Sequence, residues 1–293
     1  MRGSNIYHIC NSSPVILFRQ VEDFLIAISR LAVCSYVSIV EVFAFSIMST
    51  HFHFIIRGER KRVDEFIRLY RRSVVVAHNT TYNARVRLPI TCNLLEGEDS
   101  VISAMNYVLK NPIRHGIAQT AFSYPYSSVS CYFKEHFSRA DYFPRERISV
   151  ATKSPYDLTT RDYKRLFSNY DVPQTFRILS DRMVDPQSFV AIKRVETIYS
   201  SAKNFSYHMN RPIKDDVRMF GDNTKLINEH LSKSLLVGQI SDLKACEIMD
   251  DYIAPRKYTE ITKEETAILW RYLKPKGVSY TQFQRMVNIN NFK

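Results

Sequence analysis

The feature that most constrains this chain is how often the hydrophobic period changes along its first 111 residues. Residues 5–10 ("NIYHIC") read as a short strand. Residues 20–34 repeat apolar side chains at helical spacing through Val21, Phe24, Leu25, Ile28, Leu31 and Ala32. The stretch 39–48 ("IVEVFAFSIM") is aromatic and β-branched and reads as a strand. A second strand, 49–58 ("STHFHFIIRG"), follows a tight connection at Ser49–Thr50. Helical spacing returns over 61–77, with Val63, Phe66, Ile67, Tyr70 and Val74 on one face. A strand-like segment near 85–92 then leads into a helix over 98–111. The order β-α-β-β-α-β-α predicts an α+β fold: a ferredoxin-like domain whose antiparallel sheet is covered by helices.

At 293 residues the chain has room for a second domain. Composition turns charged and polar near residue 139, and the pattern beyond is mainly α-helical. The expected organisation is a domain over 1–138, a linker or docking segment over 139–162 and a helical accessory region over 163–293. A net charge of +12 points to a polyanionic partner, most often nucleic acid. The five cysteines (Cys10, Cys34, Cys92, Cys131, Cys246) are scattered with no CxxC pair, which argues against a disulfide framework and a structural zinc site. No secretory leader is visible, and no apolar stretch is long enough to span a bilayer. The expectation is a cytoplasmic protein with no membrane partner, monomeric or homodimeric.

Side chains alternate along a strand, so Phe52, Phe54 and Ile56 share one face, while His51, His53, Ile55 and Arg57 share the other. Two imidazoles on one strand face either converge on a cation or pack as a hydrogen-bonded core pair. In "NYVLKNPIRHG" (106–116), Ser103, Tyr107 and Asn111 stack on the polar face of the preceding helix, which Pro112 is expected to stop. Tyr107 there is either an exposed helical tyrosine or a phenol presented beside an amide.

His51-Phe52-His53 on a strand, then Tyr107 to Gly116 ("YVLKNPIRHG"), then Tyr124 to Ser128 ("YPYSS"), resemble in order and spacing the HUH single-tyrosine transposases, most closely the REP-associated tyrosine transposase branch. The likeness covers roughly residues 5–135. Ser49-Thr50 stand where that branch usually has Pro-Asn, and His115 where it has Ala. The resemblance implies a metal-dependent, single-stranded DNA transposase that nicks and rejoins hairpin or palindromic DNA through a 5′-phosphotyrosine. It implies Tyr107 as nucleophile, His51, His53 and Asn111 as metal ligands, and Mg²⁺ or Mn²⁺ as the cation. A replication- or conjugation-type HUH nickase and a non-catalytic hairpin-binding regulator are the alternatives.

Single strands and hairpins are held by basic grooves and stacking aromatics. Arg57, Arg60, Lys61, Arg62, Arg68, Arg71 and Arg72 form the densest basic block, and Arg114 extends it. Near the C-terminus, 262–287 reads as two helices around "KPKGVS". This is either a helix-turn-helix offering Gln282, Gln284 and Arg285 to a DNA groove or an ordinary helical hairpin.

Overall fold

The computed structural model describes residues 4–137, 153–179, 182–212 and 240–287. The linker expectation over 139–152 lies outside them. The first elements are β1 (Asn5–Asn11), α1 (Val21–Ser38), β2 (Glu41–Ile47), β3 (Phe52–Gly58), α2 (Arg60–Tyr82), β4 (Ile90–Leu95) and α3 (Glu98–Leu109). The strands form one sheet in the order β2-β3-β1-β4, with every neighbouring pair antiparallel. This is the helix-covered α+β arrangement that the hydrophobic pattern predicts.

Register decides which side chains face which layer. Ile9 lies opposite Phe54, Tyr7 opposite Ile56, and Phe45 and Ile47 opposite Phe54 and Phe52. These buried side chains meet α1 and α2. Tyr70 of α2 stands edge-on to both Phe52 and Phe54, at 5.1 and 5.0 Å between ring centres. Burying each such ring contributes roughly 1.5–3 kcal/mol. The opposite face carries His8, Cys10, His53 and Ile55, and α3 lies across it. Gly58 closes β3 where a Cβ would stand 2.9 Å from Val40 Cγ1, so only glycine lets the α1–β2 connection pass that close.

Two boundaries differ from the sequence expectation. The helix α2 runs on to Tyr82 and ends where Asn83 takes a left-handed φ of 53°. The fourth strand therefore starts at Ile90, after Pro89, which has no N–H to give a ladder. Pro112 also does not stop the helical path. After α3 ends at Leu109, Pro112 sits in the first turn of a short α4 (Asn111–Arg114), where a missing N–H costs nothing.

The "YPYSS" segment protects the β2 edge. Ile47 N–H donates to Tyr126 O, Ser128 N–H donates to Phe45 O, and the Tyr124 hydroxyl donates to Ile47 O at 2.7 Å. Ala191 N–H donates to Val42 O further along the same edge. A strand edge left open invites pairing with other chains, and these contacts close it.

Further helices follow: α5 (Lys134–Phe137), α6 (Thr160–Phe167), α7 (Ile192–Tyr199), α8 (Ala202–Asn210), α9 (Asp242–Ile253), α10 (Glu265–Leu273) and α11 (Tyr280–Val287). No helix of the described residues is long and apolar enough to cross a membrane. The last three share a second core with Met249, Leu269, Leu273, Phe283 and Met286 at its centre. Arg19 anchors that core to the first. Its side chain is buried, donates to Met286 O and Asp250 at 2.9 Å, and lies 4.1 Å from the Tyr258 ring centre.

His78 makes a second anchor. Its Nδ1–H donates to Leu17 O, and its Nε2 accepts from the Tyr258 hydroxyl, both at 2.9 Å. Burial pushes its pKa down to about 4. Between the unfolded value near 6.5 and about 4, the unfolded chain takes up a proton that folded His78 refuses. Stability therefore falls as pH drops through that window, by at most about 3 kcal/mol. Denaturant unfolding at pH 7 and pH 4.5 should show a smaller acid penalty for His78→Asn than for wild type. Equal penalties would remove His78 as a source of the effect.

Candidate active site

Antiparallel pairing of β1 with β3 places Cys10 opposite His53 and His8 opposite Ile55. His8, Cys10 and His53 therefore share the side of the sheet that α3 covers. The His8 and His53 rings stack, 5.3 Å apart and 13° from parallel, with His8 Nε2 3.0 Å from His53 Nδ1. One ligating atom from each of the three residues lies within 4.8 Å of the others, a buried group that can hold a metal ion. Cys10 Sγ also lies 3.0 Å from Thr91 Oγ1 on β4.

His51 stands one residue before β3. The Thr50 hydroxyl lies 2.9 Å from its Nδ1, and its Nε2 lies 3.1 Å from Asn111 Oδ1. Because the amide oxygen only accepts, Nε2 carries the proton and Nδ1 accepts from Thr50. The His115 ring packs 4.6 Å from His51.

Tyr107 joins the two histidine groups. Its ring stands edge-on to His53 at 5.3 Å and to His8 at 5.9 Å. The Arg114 guanidinium lies over the same ring, 4.4 Å from its centre, with its side chain buried. Burial pushes the phenol pKa up, while Arg114 and the Asn111 side chain pull it down by favouring the phenolate. Burial sets the histidines in the other direction. His8 is pushed down to about 4, and His53 well below its ordinary value, by burial first and then by His51 and His8. Both imidazoles are neutral at pH 7, the form a metal requires.

What holds Tyr107 over the histidines is the opposite side of α3. Asn106 and Lys110 are buried there against α7 and α8. The Tyr199 hydroxyl donates to Asn106 Oδ1 at 2.7 Å, and the Asn106 amide meets His208 Nδ1 at 3.1 Å. Lys110 Nζ donates to His208 O at 3.3 Å and Arg211 O at 2.6 Å. The "polar face" read from Ser103, Tyr107 and Asn111 is thus turned inward onto the sheet, and Ser103 and Asn111 are buried.

The structure brings His51, His53, Tyr107, Asn111 and Arg114 together. The basic block lies elsewhere. Arg60, Lys61, Arg62, Arg68, Arg71 and Arg72 belong to α2, on the other side of the sheet. Several are paired: Arg60 with Asp64 at 3.0 Å, Arg62 with Glu59 at 3.7 Å, Arg68 with Glu65 at 2.9 Å. Arg57 bridges to Glu41 at 3.0 Å. In α11, Gln282 is 9% exposed and its amide donates to Ile240 O and Asp242, so it faces the protein and not a groove. Gln284 is exposed and Arg285 half-buried.

His8, Cys10 and His115 were not among the expected site residues. "YHIC" has the same alternate spacing as "HFH", which places His8 and Cys10 on one strand face, and that signal was present in the sequence. Its meaning depended on the β1–β3 register.

No protein-family profile matches this chain, and nothing among curated proteins matches it. A solved structure described as "Structure of the REP associates tyrosine transposase bound to a REP hairpin" is distantly similar. It has 14% sequence identity over 49% of this chain and 84% of that one, with a TM-score of 0.36. A likeness that slight carries no functional assignment.

His53 is 7% exposed and its loss leaves His8 Nε2 without its buried partner. His53→Ala should lower unfolding free energy by about 1–3 kcal/mol. Half-buried His51 should cost less than about 1 kcal/mol on the same change. Denaturant titrations of both variants check this ranking, and a larger loss from His51→Ala would reverse it.

Proposed function

We propose that this chain is a metal-dependent enzyme that nicks and rejoins single-stranded or hairpin DNA, with Tyr107 as its nucleophile. The observation that carries the reading is the placement of the Tyr107 phenol. It lies against His53, under a buried guanidinium, beside an imidazole and an amide oxygen that face each other.

Attack by a phenol on a phosphodiester needs a deprotonated oxygen, and it must meet charge building on the phosphoryl oxygens. In the proposed step Tyr107 Oη loses its proton to solvent and bonds to phosphorus. The bond from phosphorus to the 3′ oxygen breaks, and that oxygen takes up a proton and leaves as a 3′-hydroxyl. The 5′-phosphotyrosine keeps the bond energy for rejoining, so no nucleotide cofactor is required. Arg114 lies over the ring, 4.4 Å from its centre, and favours the phenolate against the burial that disfavours it.

Two of the three expected ligands fit a hard divalent cation. His51 Nε2 and Asn111 Oδ1 face each other at 3.1 Å; once the Nε2 proton moves to Nδ1, where the Thr50 hydroxyl can accept it, they offer a nitrogen–oxygen pair suited to Mn²⁺ or Mg²⁺. His53 supplies the second imidazole and the third ligand by residue type, although its Nδ1 faces His8. When bound, such a cation neutralises phosphoryl oxygens and polarises phosphorus.

Labelled hairpin DNA incubated with the protein and Mn²⁺ should yield a protein–DNA adduct that survives denaturation. Tyr107→Phe should abolish the adduct while leaving DNA affinity within about three-fold, less than 1 kcal/mol. Arg114→Gln should slow adduct formation by about 100-fold. Undiminished adduct from Tyr107→Phe would sink the assignment.

The exposed arginines of α2 serve affinity and not the cut in this reading, because the sheet separates them from Tyr107. Neutralising Arg68, Arg71 and Arg72 together should flatten the log–log salt dependence by about 0.7 per lost phosphate contact on a single strand. Adduct yield at saturating DNA should not change. An unaltered slope would place the DNA away from α2.

A further inference from the structure

We infer that His8, Cys10 and His53 form a thiolate-containing cation site, built across the β1–β3 pair, that selects zinc over magnesium or manganese. The inference rests on strand register and donor chemistry and stands independently of the nicking activity proposed above.

Three features support it. The first is convergence. The three ligating atoms lie within 4.8 Å of one another, and two of them, His8 Nε2 and His53 Nδ1, are 3.0 Å apart. Donors around one tetrahedral zinc, at about 2.0–2.1 Å for nitrogen and 2.3 Å for sulfur, stand roughly 3.3–3.7 Å from each other. The two nitrogens need to part by only a few tenths of an ångström. The second is that a proton bridges the histidine pair, so one of the two nitrogens already offers a lone pair to the space between them. Moving the remaining ring proton to the far nitrogen of its own imidazole gives two neutral donors with no net proton loss. Cys10 ligates as thiolate, so its thiol proton is the one released to solvent. Uptake of Zn²⁺ by the three residues then forms two Zn–N bonds and one Zn–S bond, breaks one S–H bond and releases one H⁺. A fourth position remains for water.

The third is rigidity. Cys10 and His53 are directly opposed strand residues, and His8 lies two residues along β1 on the same face. Backbone hydrogen bonds hold all three on two strands inside a four-stranded sheet, so little chain entropy is lost on binding. A soft sulfur with two imidazoles suits zinc and cobalt and is a poor match for oxygen-seeking Mg²⁺ or Mn²⁺.

His53 belongs both to this set and to the one that includes His51 and Asn111. A neutral imidazole has one unprotonated nitrogen and ligates one cation. Zinc held by Cys10 and His8 therefore takes His53 out of the set facing Asn111.

The test uses the full chain stripped of metal by chelation, with Co²⁺ as a spectroscopic stand-in for Zn²⁺. One equivalent of Co²⁺ should give a thiolate-to-cobalt charge-transfer band and the intense visible bands of four-coordinate cobalt, and Zn²⁺ should bleach both. Zn²⁺ should raise the melting temperature by several degrees, and equimolar Mg²⁺ should not. Cys10→Ser and His8→Ala should each weaken Zn²⁺ binding in calorimetry by at least about 10-fold, and Cys10→Ser should remove the charge-transfer band. Cys92→Ser, on the neighbouring strand opposite Ile9, and Asn111→Ala should leave binding and spectrum unchanged. Binding that lacks the thiolate band, survives Cys10→Ser and is lost in Asn111→Ala would overturn the inference in favour of the other set. Absence of stoichiometric binding would overturn it outright. The Tyr107 adduct is measured separately with Mn²⁺, so failure of this site and failure of the nicking reading are told apart.

Discussion

The pairing of β1 with β3 is the interaction on which the rest depends. Both strands are central and both of their faces are buried, so register fixes the content of two layers at once. With Cys10 opposite His53, one face becomes the Tyr7, Ile9, Phe52, Phe54 and Ile56 core beneath α1 and α2. The other becomes a polar floor beneath α3. A slip of one residue would send imidazoles into the aromatic core and phenylalanines against Tyr107. The hydrophobic gain on one face thus positions the chemistry on the other, and the aromatic layer pays for a buried histidine pair that propensity alone would not favour.

The second dependence is on chain far from the motifs. Tyr107 is aimed by α3, and α3 is held from behind by α7 and α8 through Asn106, Lys110, Tyr199 and His208. A buried lysine is tolerable only because backbone carbonyls surround its ammonium. Met183, Val195, Tyr199 and Phe205 also belong to the same hydrophobic cluster as the sheet. The site therefore draws on residues well beyond the stretch that carries the motifs.

Much of this was legible in the sequence. The alternation in "FHFII" and the heptad-like spacing of α1 and α2 are strong local signals, and the order of elements follows from them. Helix spacing puts Asn111 one turn from Tyr107 and strand alternation puts His51 and His53 on one face, both by local rules, while the contact of His51 with Asn111 depends on α3 crossing that face. The partnership of His8 with His53 is not local. It requires knowing which strands are neighbours and in what register, and hydrophobic patterns do not encode that. The α2 arginines read as a DNA-binding surface because they form the densest basic block in the sequence, which says nothing of the face they occupy. In a β-α connection the helix crosses to one face, and here it is the face away from Tyr107. Gln282 looked like a groove-reading residue from its place in a short helix. Its burial became visible only with Ile240 and Asp242 beside it.

Asp242 extends that last point. Its carboxylate accepts from Gln282 and also from the Ser49 hydroxyl, at 2.5 Å, in the turn just before His51. Arg285 contributes its carbonyl to Ile16 N–H, and Ser49 O in turn receives Leu17 and Phe18 N–H at 2.7 and 3.0 Å. The chain around 16–19, the 49–50 turn and α11 are thereby laced together. Turns are usually the softest part of a sheet, and this one carries His51, whose orientation is set by its neighbour Thr50. Bracing it from the C-terminal helices gives those helices a definite physical role: they stiffen the entry to β3, so that the imidazole nitrogen and the Asn111 oxygen stay face to face across the gap between sheet and helix.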